Sequence, residues 1–403
     1  MSGTDNRTGP KRLAVYASVG PALHHYDVDV DQCALQKTSN VVSMPQNIQY
    51  AWPDAAGAHL YMCSSNVAKN VNPAAPSHHR QAFRIDPASG HLAAHGDPMP
   101  LKWRPVHMSL DEAGRNALVV YPNPTGATVH RILPDGRFGE NVPQPDKLNT
   151  GAFPHQVRML PASGGGGVVV VSRGYNATAD KTEEPGALRL YDYRDGVLSQ
   201  RGAIAPAGGY GFGPRHIDYH PNGRWLYAAL ERQNRLHVFS MAGGQVTAEP
   251  VFVRDTLKDS KKVLGHQMVG TVHVHPNGKF VYVANRCSDT EPFTGRKVHA
   301  GGENSLAVYA IDPDTGEPTL IQHAEMHSIH VRTFAIDPSG RMLVAASISA
   351  MDVRDGAGTA IKPACLTTYR IAANGKVEFV NYYNVETGGD RRMFWMGMVS
   401  VGA

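Results

Sequence analysis

His216-Ile-Asp-Tyr-His-Pro-Asn-Gly-Arg-Trp-Leu-Tyr-Ala-Ala-Leu230 is the stretch that decides the fold. Two apolar runs flank Pro-Asn-Gly, and the glycine supplies the positive φ that a tight connection between antiparallel strands demands, so the segment reads as strand, hairpin turn, strand. The pattern returns as Val272-His-Val-His-Pro-Asn-Gly-Lys-Phe-Val-Tyr-Val-Ala284 and as Thr333-Phe-Ala-Ile-Asp-Pro-Ser-Gly-Arg-Met-Leu-Val-Ala345. Looser versions at Pro53–Gly57, Asp111–Gly114 and Pro161–Gly164 carry the series toward the N-terminus. The turn glycines 57, 114, 164, 223, 278 and 340 lie 50 to 62 residues apart. A repeat of about 57 residues divides the 403-residue chain into about seven units.

A second series of turns falls between the first: Asp86–Gly90, Pro134–Gly136, Arg194–Gly196, Ala242–Gly244, Asp312–Gly316 and Ala373–Gly375. Each follows an alternating run such as Leu236-His-Val-Phe239, so every unit holds two hairpins and four strands, without helical periodicity. Four-stranded units at this period predict an all-β, seven-bladed β-propeller. Only six units are internal. Leu13–Ser18, His24–Val30 and Ala34–Ser39 read as three strands lacking an inner partner, and Met393–Val399 reads as an unpaired strand. Joining the two ends completes the last blade and removes the exposed edges, which two stacked β-domains would leave. The expected organisation is an N-terminal tail, 1–12, and one propeller domain, 13–403.

Composition supports a packed core: 42% of residues are hydrophobic, and the 41 Gly and 28 Pro are explained by two turns per blade. Disorder and fibre are excluded. A net charge of +4 with 18% charged residues offers no nucleic-acid footprint. Cys33, Cys63, Cys287 and Cys365 are too scattered for a zinc or disulfide framework and read as reduced thiols. The polar start, the short apolar run Leu13–Val19 and the lack of any stretch of about 18 apolar residues lead us to expect a cytoplasmic protein with no membrane partner. No cofactor motif is present: there is no Gly-x-x-x-x-Gly-Lys and no Gly-x-Ser-x-Gly. A monomer or small homo-oligomer is expected.

Antiparallel pairing puts the start of each inner strand and the end of each second strand at one mouth of the central channel. Counting six back from each turn gives Asn47, Pro105, His155, Arg215, Gly270 and Arg332. Counting eight forward from each turn glycine gives Ser65, Pro122, Ser172, Glu231, Arg286 and Ile348. With Arg173 and Arg104 one place away, this mouth gathers Arg104, Arg173, Arg215, Arg286, Arg332 and His155 around a single carboxylate, Glu231. Guanidinium forks match carboxylate or phosphate, so the expected partner is a small anion. Long links at 67–79, 174–185, 287–303 and 350–363 emerge at the same face, where binding or covering roles are expected.

Phe153-Pro-His155, Gly213-Pro-Arg-His216 with Glu231 after it, Val272–Ala284 running on into Asn285-Arg286, and Arg332-Thr-Phe-Ala-Ile-Asp-Pro-Ser-Gly340 together resemble the seven-bladed propeller lactonases. That family includes propeller-type 6-phosphogluconolactonases and carboxymuconate-lactonizing enzymes. The resemblance is strongest over blades 3 to 6. It implies His155, Arg215, Glu231 and Arg286 as catalytic residues and places His216 and His273 in motif positions; with Arg173, Arg332 and Arg104 from the count of mouth positions, these two are the expected substrate-binding residues. Blade 6 departs from the pattern, with His330-Val-Arg332 where Pro-Arg is usual. The implied activity is hydrolysis of an anionic sugar or carboxylated lactone. The alternatives are ring closure of an unsaturated diacid and a non-catalytic binding scaffold. Hydrolysis needs a base, Glu231 or His155, with Arg215 and Arg286 holding the anion or the oxyanion. Neighbouring cations should keep Glu231 ionised. A zinc held by His155, His216 and His273 is the metal alternative; His275, like His220 and Asp337, reads as a structural turn residue. The run Gly164–Gly167 reads as a flexible turn.

Overall fold

A computed structural model describes residues 12–402 apart from 69–72, 262, 264 and 390. The expected tail falls outside the described residues except for Arg12, which already opens a strand. Seven four-stranded antiparallel blades are present. From inner to outer strand, blade 1 is Asn47–Pro53, His59–Ser65, His78–Ile85 and Leu92–Pro100. Blade 2 is His107–Leu110, Asn116–Pro122, Thr125–Ile132 and Phe138–Val142. Blade 3 is Pro154–Met159, Val168–Ser172, Ala187–Arg194 and Val197–Ile204. Blade 4 is Pro214–Tyr219, Trp225–Leu230, Arg235–Ala242 and Phe252–Asp255, with a short Gln245–Val246 strand. Blade 5 is Met268–Val274, Phe280–Arg286, Ser305–Ile311 and Pro318–Glu325, and blade 6 is Val331–Ile336, Met342–Ser347, Ala364–Ile371 and Val377–Val385.

Blade 7 joins the termini: Met396–Val401 is its inner strand, beside Arg12–Val19, Ala22–Asp29 and Ala34–Ser43. The pairing runs from Arg12 with Val401 to Ala17 with Met396. The inner strand therefore starts three residues later than the apolar run suggested. Trp395 instead anchors the approach, its carbonyl accepting from the Ser18 amide at 2.9 Å and its amide donating to Ser18 Oγ at 3.0 Å.

Among the described residues the buried apolar side chains form seven clusters, one across each junction between adjacent blades. Tyr282 and Leu306 of blade 5, for example, pack with Phe334 and Leu343 of blade 6; Ala14 and Tyr16 of blade 7 pack with Ile48 and Leu60 of blade 1. The core is thus the set of junctions, and each blade is stable only between two neighbours. A repeated clamp fixes the junctions on the turn face. The hydroxyls of Tyr16, Tyr61, Tyr227 and Tyr282 each donate to a glycine carbonyl of the next blade's outer hairpin, Gly90, Gly136, Gly316 and Gly375, at 2.6 to 3.0 Å. His220 and His275 do the same for the next inner turn, with Nε2 at 2.8 Å from the carbonyls of Gly278 and Gly340 while Nδ1 accepts the Asn222 and Asn277 amides. The turn role expected of His275 is thereby accounted for.

Blade 3 differs. Its turn is a short 3-10 segment, Ala162–Gly164, and positive φ begins only at Gly165. A Cβ at Gly167 would lie 2.1 Å from the Tyr191 carbonyl oxygen, so this glycine serves a close backbone approach as well as a turn.

Two substitutions probe the clamps. Tyr282→Phe removes one buried hydrogen bond and should lower unfolding free energy by about 1 kcal/mol. In Gly340→Ala the new methyl would meet His275 Cε1 at 2.1 Å at a φ of +72°, and the loss should exceed about 2 kcal/mol. Urea unfolding checks both; unchanged midpoints would remove the clamps from the account.

Candidate active site

The mouth residues owe their direction to a recurrent irregularity. In five blades the ladder between inner and second strand slips near its start: between Ile48 and Tyr50, Pro154 and Gln156, Pro214 and His216, Val269 and Val272, and Val331 and Thr333. The skipped residues are Gln49, His155, Arg215, Gly270 with Thr271, and Arg332. A bulge leaves its extra residue unpaired and re-aims the side chain, so one position per blade is released from the sheet at the channel mouth. His155, Arg215 and Arg332 coincide with the expected starts. So does Gly270, although in blade 5 the slip also takes in Thr271 and the inner strand begins two residues earlier, at Met268.

Glu231 is the hub. Its Oε1 lies 2.8 Å from Arg173 Nη1, and its Oε2 lies 2.9 Å from both Arg286 Nη2 and Arg215 Nε. Burial alone would raise this acid, but Arg286, Arg215 and Arg173 outweigh it and pull its pKa down to about 2. The expected ionised state of Glu231 follows from this geometry. Arg215 is 1% exposed, and its Nη1 has no hydrogen-bond partner among the described residues. Arg332 lies over the Phe394 ring at 5.0 Å, and burial, with Arg286 and Arg104 nearby, brings its pKa to about 9. Arg104 donates from Nε and Nη2 to Gln49 Oε1 at 3.2 Å. Arg173 stacks over Phe153 at 4.4 Å.

Below the arginines lies a layer of neutral imidazoles. The rings of His155 and His216 are 5.2 Å apart and those of His216 and His107 5.9 Å. Burial first, then Arg215 and Arg332, hold His155 well below 6.5; His216 and His107 are depressed for the same kinds of reason. His155 Nδ1 is buried and has no hydrogen-bond partner among the described residues.

His273 is not brought into this group. It sits near the turn end of its strand, with Nδ1 3.5 Å from Asp218 Oδ2 and its ring edge-on to Phe334 at 4.9 Å. Its place one residue before the turn end of the strand puts it toward the opposite mouth, so the motif position did not translate into a place beside Arg215. With His273 removed, the zinc triad loses its third ligand, and no other group of three metal-binding side chains converges among the described residues. Two residues escaped the sequence reading. Gln49 carried the same bulge signal as Arg215 but two residues inside the counted position. His330, the departure from the usual proline, places Nε2 3.0 Å from Arg286 Nη1 and is kept neutral by burial and by Arg286 and Arg332.

The long links shape the approach. Links 287–303 and 350–363 fold into hairpins, Thr290–Phe293 with Arg296–His299 and Met351–Asp355 with Gly358–Lys362. They meet through Arg354, which pairs with Glu291 and covers Phe293 at 4.6 Å, and through Arg296 and Asp352 at 3.8 Å. Beside them a cavity of about 340 Å³ is lined by Lys297, His330, Asp352 and Arg392. Link 174–185 folds back on itself through Tyr175 with Glu184 and Thr178 with Lys181. Link 67–79 includes residues outside the described set.

Residues 13–354 match the family model described as "Lactonase, 7-bladed beta-propeller". The chain is 27% identical over 271 residues to the 6-phosphogluconolactonase of Bacillus subtilis (strain 168), covering 66% of this chain and 69% of the relative. It is 22% identical over 338 residues to that of Yersinia pestis (strain Pestoides F), covering 75% and 87%. Among solved structures, the Pseudomonas aeruginosa periplasmic gluconolactonase PpgL superposes with a TM-score of 0.69 at 18% identity, over 97% of this chain and 99% of that one. A Lactobacillus plantarum protein superposes with a TM-score of 0.65 at 18% identity, over 97% and 100%. The chain belongs to the seven-bladed β-propeller lactonase family.

Proposed function

We propose that the Glu231 mouth hydrolyses a small anionic sugar lactone of the 6-phosphogluconolactone type. The observation that carries the reading is charge: Arg104, Arg173, Arg215, Arg286 and Arg332 face one carboxylate, and the buried Arg215 Nη1 has no partner among the described residues. A buried donor left unbonded is costly unless a ligand completes it. The names of the relatives favour hydrolysis over ring closure and over a scaffold role. A charged sugar does not cross membranes unaided, so this reading carries a cytoplasmic location, and no helix among the described residues is long and apolar enough to span a membrane.

Glu231, with both oxygens engaged by guanidinium groups and a pKa of about 2, is a poor proton acceptor; its role is to hold Arg173, Arg215 and Arg286 in place. His155, neutral and with no hydrogen-bond partner on Nδ1 among the described residues, suits the base. Water adds to the lactone carbonyl as His155 takes its proton. The oxyanion forms against Arg215 and Arg286, the ring C–O bond breaks, and the proton returns to the departing alkoxide to give the hydroxy acid. The substrate's own anion falls to Arg332, Arg104 and Arg173.

Glu231→Gln and Arg215→Ala should each lower kcat/KM on 6-phosphogluconolactone about 10²–10³-fold. His155→Gln should act mainly on kcat, by about 10²-fold. Variants as active as the parent would sink the assignment. Because His155 stays neutral well below 6.5, kcat/KM should hold its plateau through pH 6.5; an acid limb centred there would mark an ordinary histidine instead.

Stability should follow the same charges. Glu231 titrates near 2 when folded against an ordinary 4.5, so its contribution is complete above about pH 4.5 and disappears as pH falls toward 2. An earlier loss comes from His107, His155, His216 and His330: below 6.5 the unfolded chain binds protons that the buried rings refuse. Urea midpoints should therefore begin to drop below pH 6.5, and a midpoint constant from pH 7 to 5 would contradict this.

A further inference from the structure

The central channel has a second chamber, at the hairpin-turn end, with a volume of about 450 Å³. Its walls are aromatic, formed chiefly by Tyr50, Trp52, Phe334 and Trp395, with Met396 and Met398 beside them. Among the polar side chains that line it are Arg158 and His273. The Arg158 guanidinium lies 5.3 Å from the Trp52 ring and 5.5 Å from the Tyr219 ring. Its ion-pair partner among the described residues is Asp218 Oδ1 at 3.6 Å, too far for a hydrogen bond, which leaves its N–H donors open to a ligand. Asp218 is itself fixed, its Oδ2 accepting the Val274 amide at 2.9 Å and lying 3.5 Å from His273 Nδ1. That contact orients the imidazole so that Nε2 remains for a ligand.

We propose that this chamber is a second binding site, for a small flat ring compound carrying a single carboxylate and a neighbouring hydroxyl. The carboxylate meets the Arg158 fork, the hydroxyl donates to His273 Nε2, and the ring lies among Trp52, Phe334 and Trp395. A mostly apolar cavity with a few convergent polar groups is the usual form of a small-molecule site, and this volume falls within the usual range of about 300–1,000 Å³. Charge limits the ligand. Asp54, Asp111 and Glu112 also line the chamber, and Asp218 already offsets Arg158, so a polyanion such as a phosphorylated sugar is repelled. The two ends of the channel therefore select different molecules. The layer formed by His155, His216 and His107 lies between them, and His216 is a wall of this chamber.

Isothermal titration calorimetry of the full chain tests the site with salicylate, benzoate and 6-phosphogluconate as probes. Salicylate should bind with a Kd of about 1 mM or tighter, benzoate several-fold more weakly, and 6-phosphogluconate should not displace salicylate. Arg158→Leu should weaken salicylate at least about tenfold. Ala335→Phe, which adds a ring at a lining position of the chamber, should also abolish binding, while Glu231→Gln should leave it unchanged. No saturable heat up to about 5 mM would overturn the proposal. So would equal affinity in Arg158→Leu and Ala335→Phe, or displacement by 6-phosphogluconate, which would assign the ligand to the Glu231 mouth. Because binding is read without turnover, the result stands apart from that of the lactonase assay.

Discussion

Everything in the molecule depends on ring closure by the pairing of Met396–Val401 with Arg12–Val19. Among the described residues the seven apolar clusters lie between blades rather than within them, so each one needs both partners in place. An open ring would expose two half-junctions and two sheet edges. The hydrogen bonds from Tyr16, Tyr61, Tyr227 and Tyr282 to the next blade's glycines then set the angular step between neighbours. They work on carbonyls because only glycine leaves room there. A Cβ at Gly375, for instance, would stand 2.2 Å from Phe280.

Closure is what makes the electrostatics of the mouth possible. Residues from blades 3, 4 and 5, far apart in sequence, are forced within ion-pair distance around Glu231. Taking several guanidinium groups out of water is unfavourable, and one carboxylate does not offset them all. The local surplus of positive charge is tolerated because the junctions that hold these side chains are stabilised elsewhere, by apolar burial. Arginine suits this role better than lysine would, since its planar fork engages Glu231 with one arm and leaves others for a ligand.

The architecture was legible because glycine turns repeat with a period, and a period survives poor local prediction. The division of blade 7 between the termini followed from a count of strands. The mouth cations were legible for a related reason: strand length fixes how far from a turn the channel end lies. What the count could not see was the bulge. A one-residue slip moves the residue facing the channel, which is why a count from the turn arrives at Asn47 while the residue released from the ladder is Gln49. His273 was misplaced by motif rather than by counting, because a motif records sequence neighbours and not which end of a strand they reach. The glycines after Ala162 read as slack, yet Gly167 is fixed by contact with Tyr191, a neighbour in space and not in sequence.

The histidine layer links these themes. His107, His155 and His216 come from the inner strands of three consecutive blades and meet across the channel, with neighbouring rings 5.2 and 5.9 Å apart. Burial and the arginine field keep all three neutral, so the layer divides the channel without adding charge to either side. Above it, surplus guanidinium charge suits a polyanion; below it, Asp218 offsets Arg158 and aromatic walls dominate, which suits a monoanion. A protonated layer would erase that contrast by extending the positive field through the channel. The depressed basicity of these rings is therefore as much a part of the site's selectivity as the arginines are.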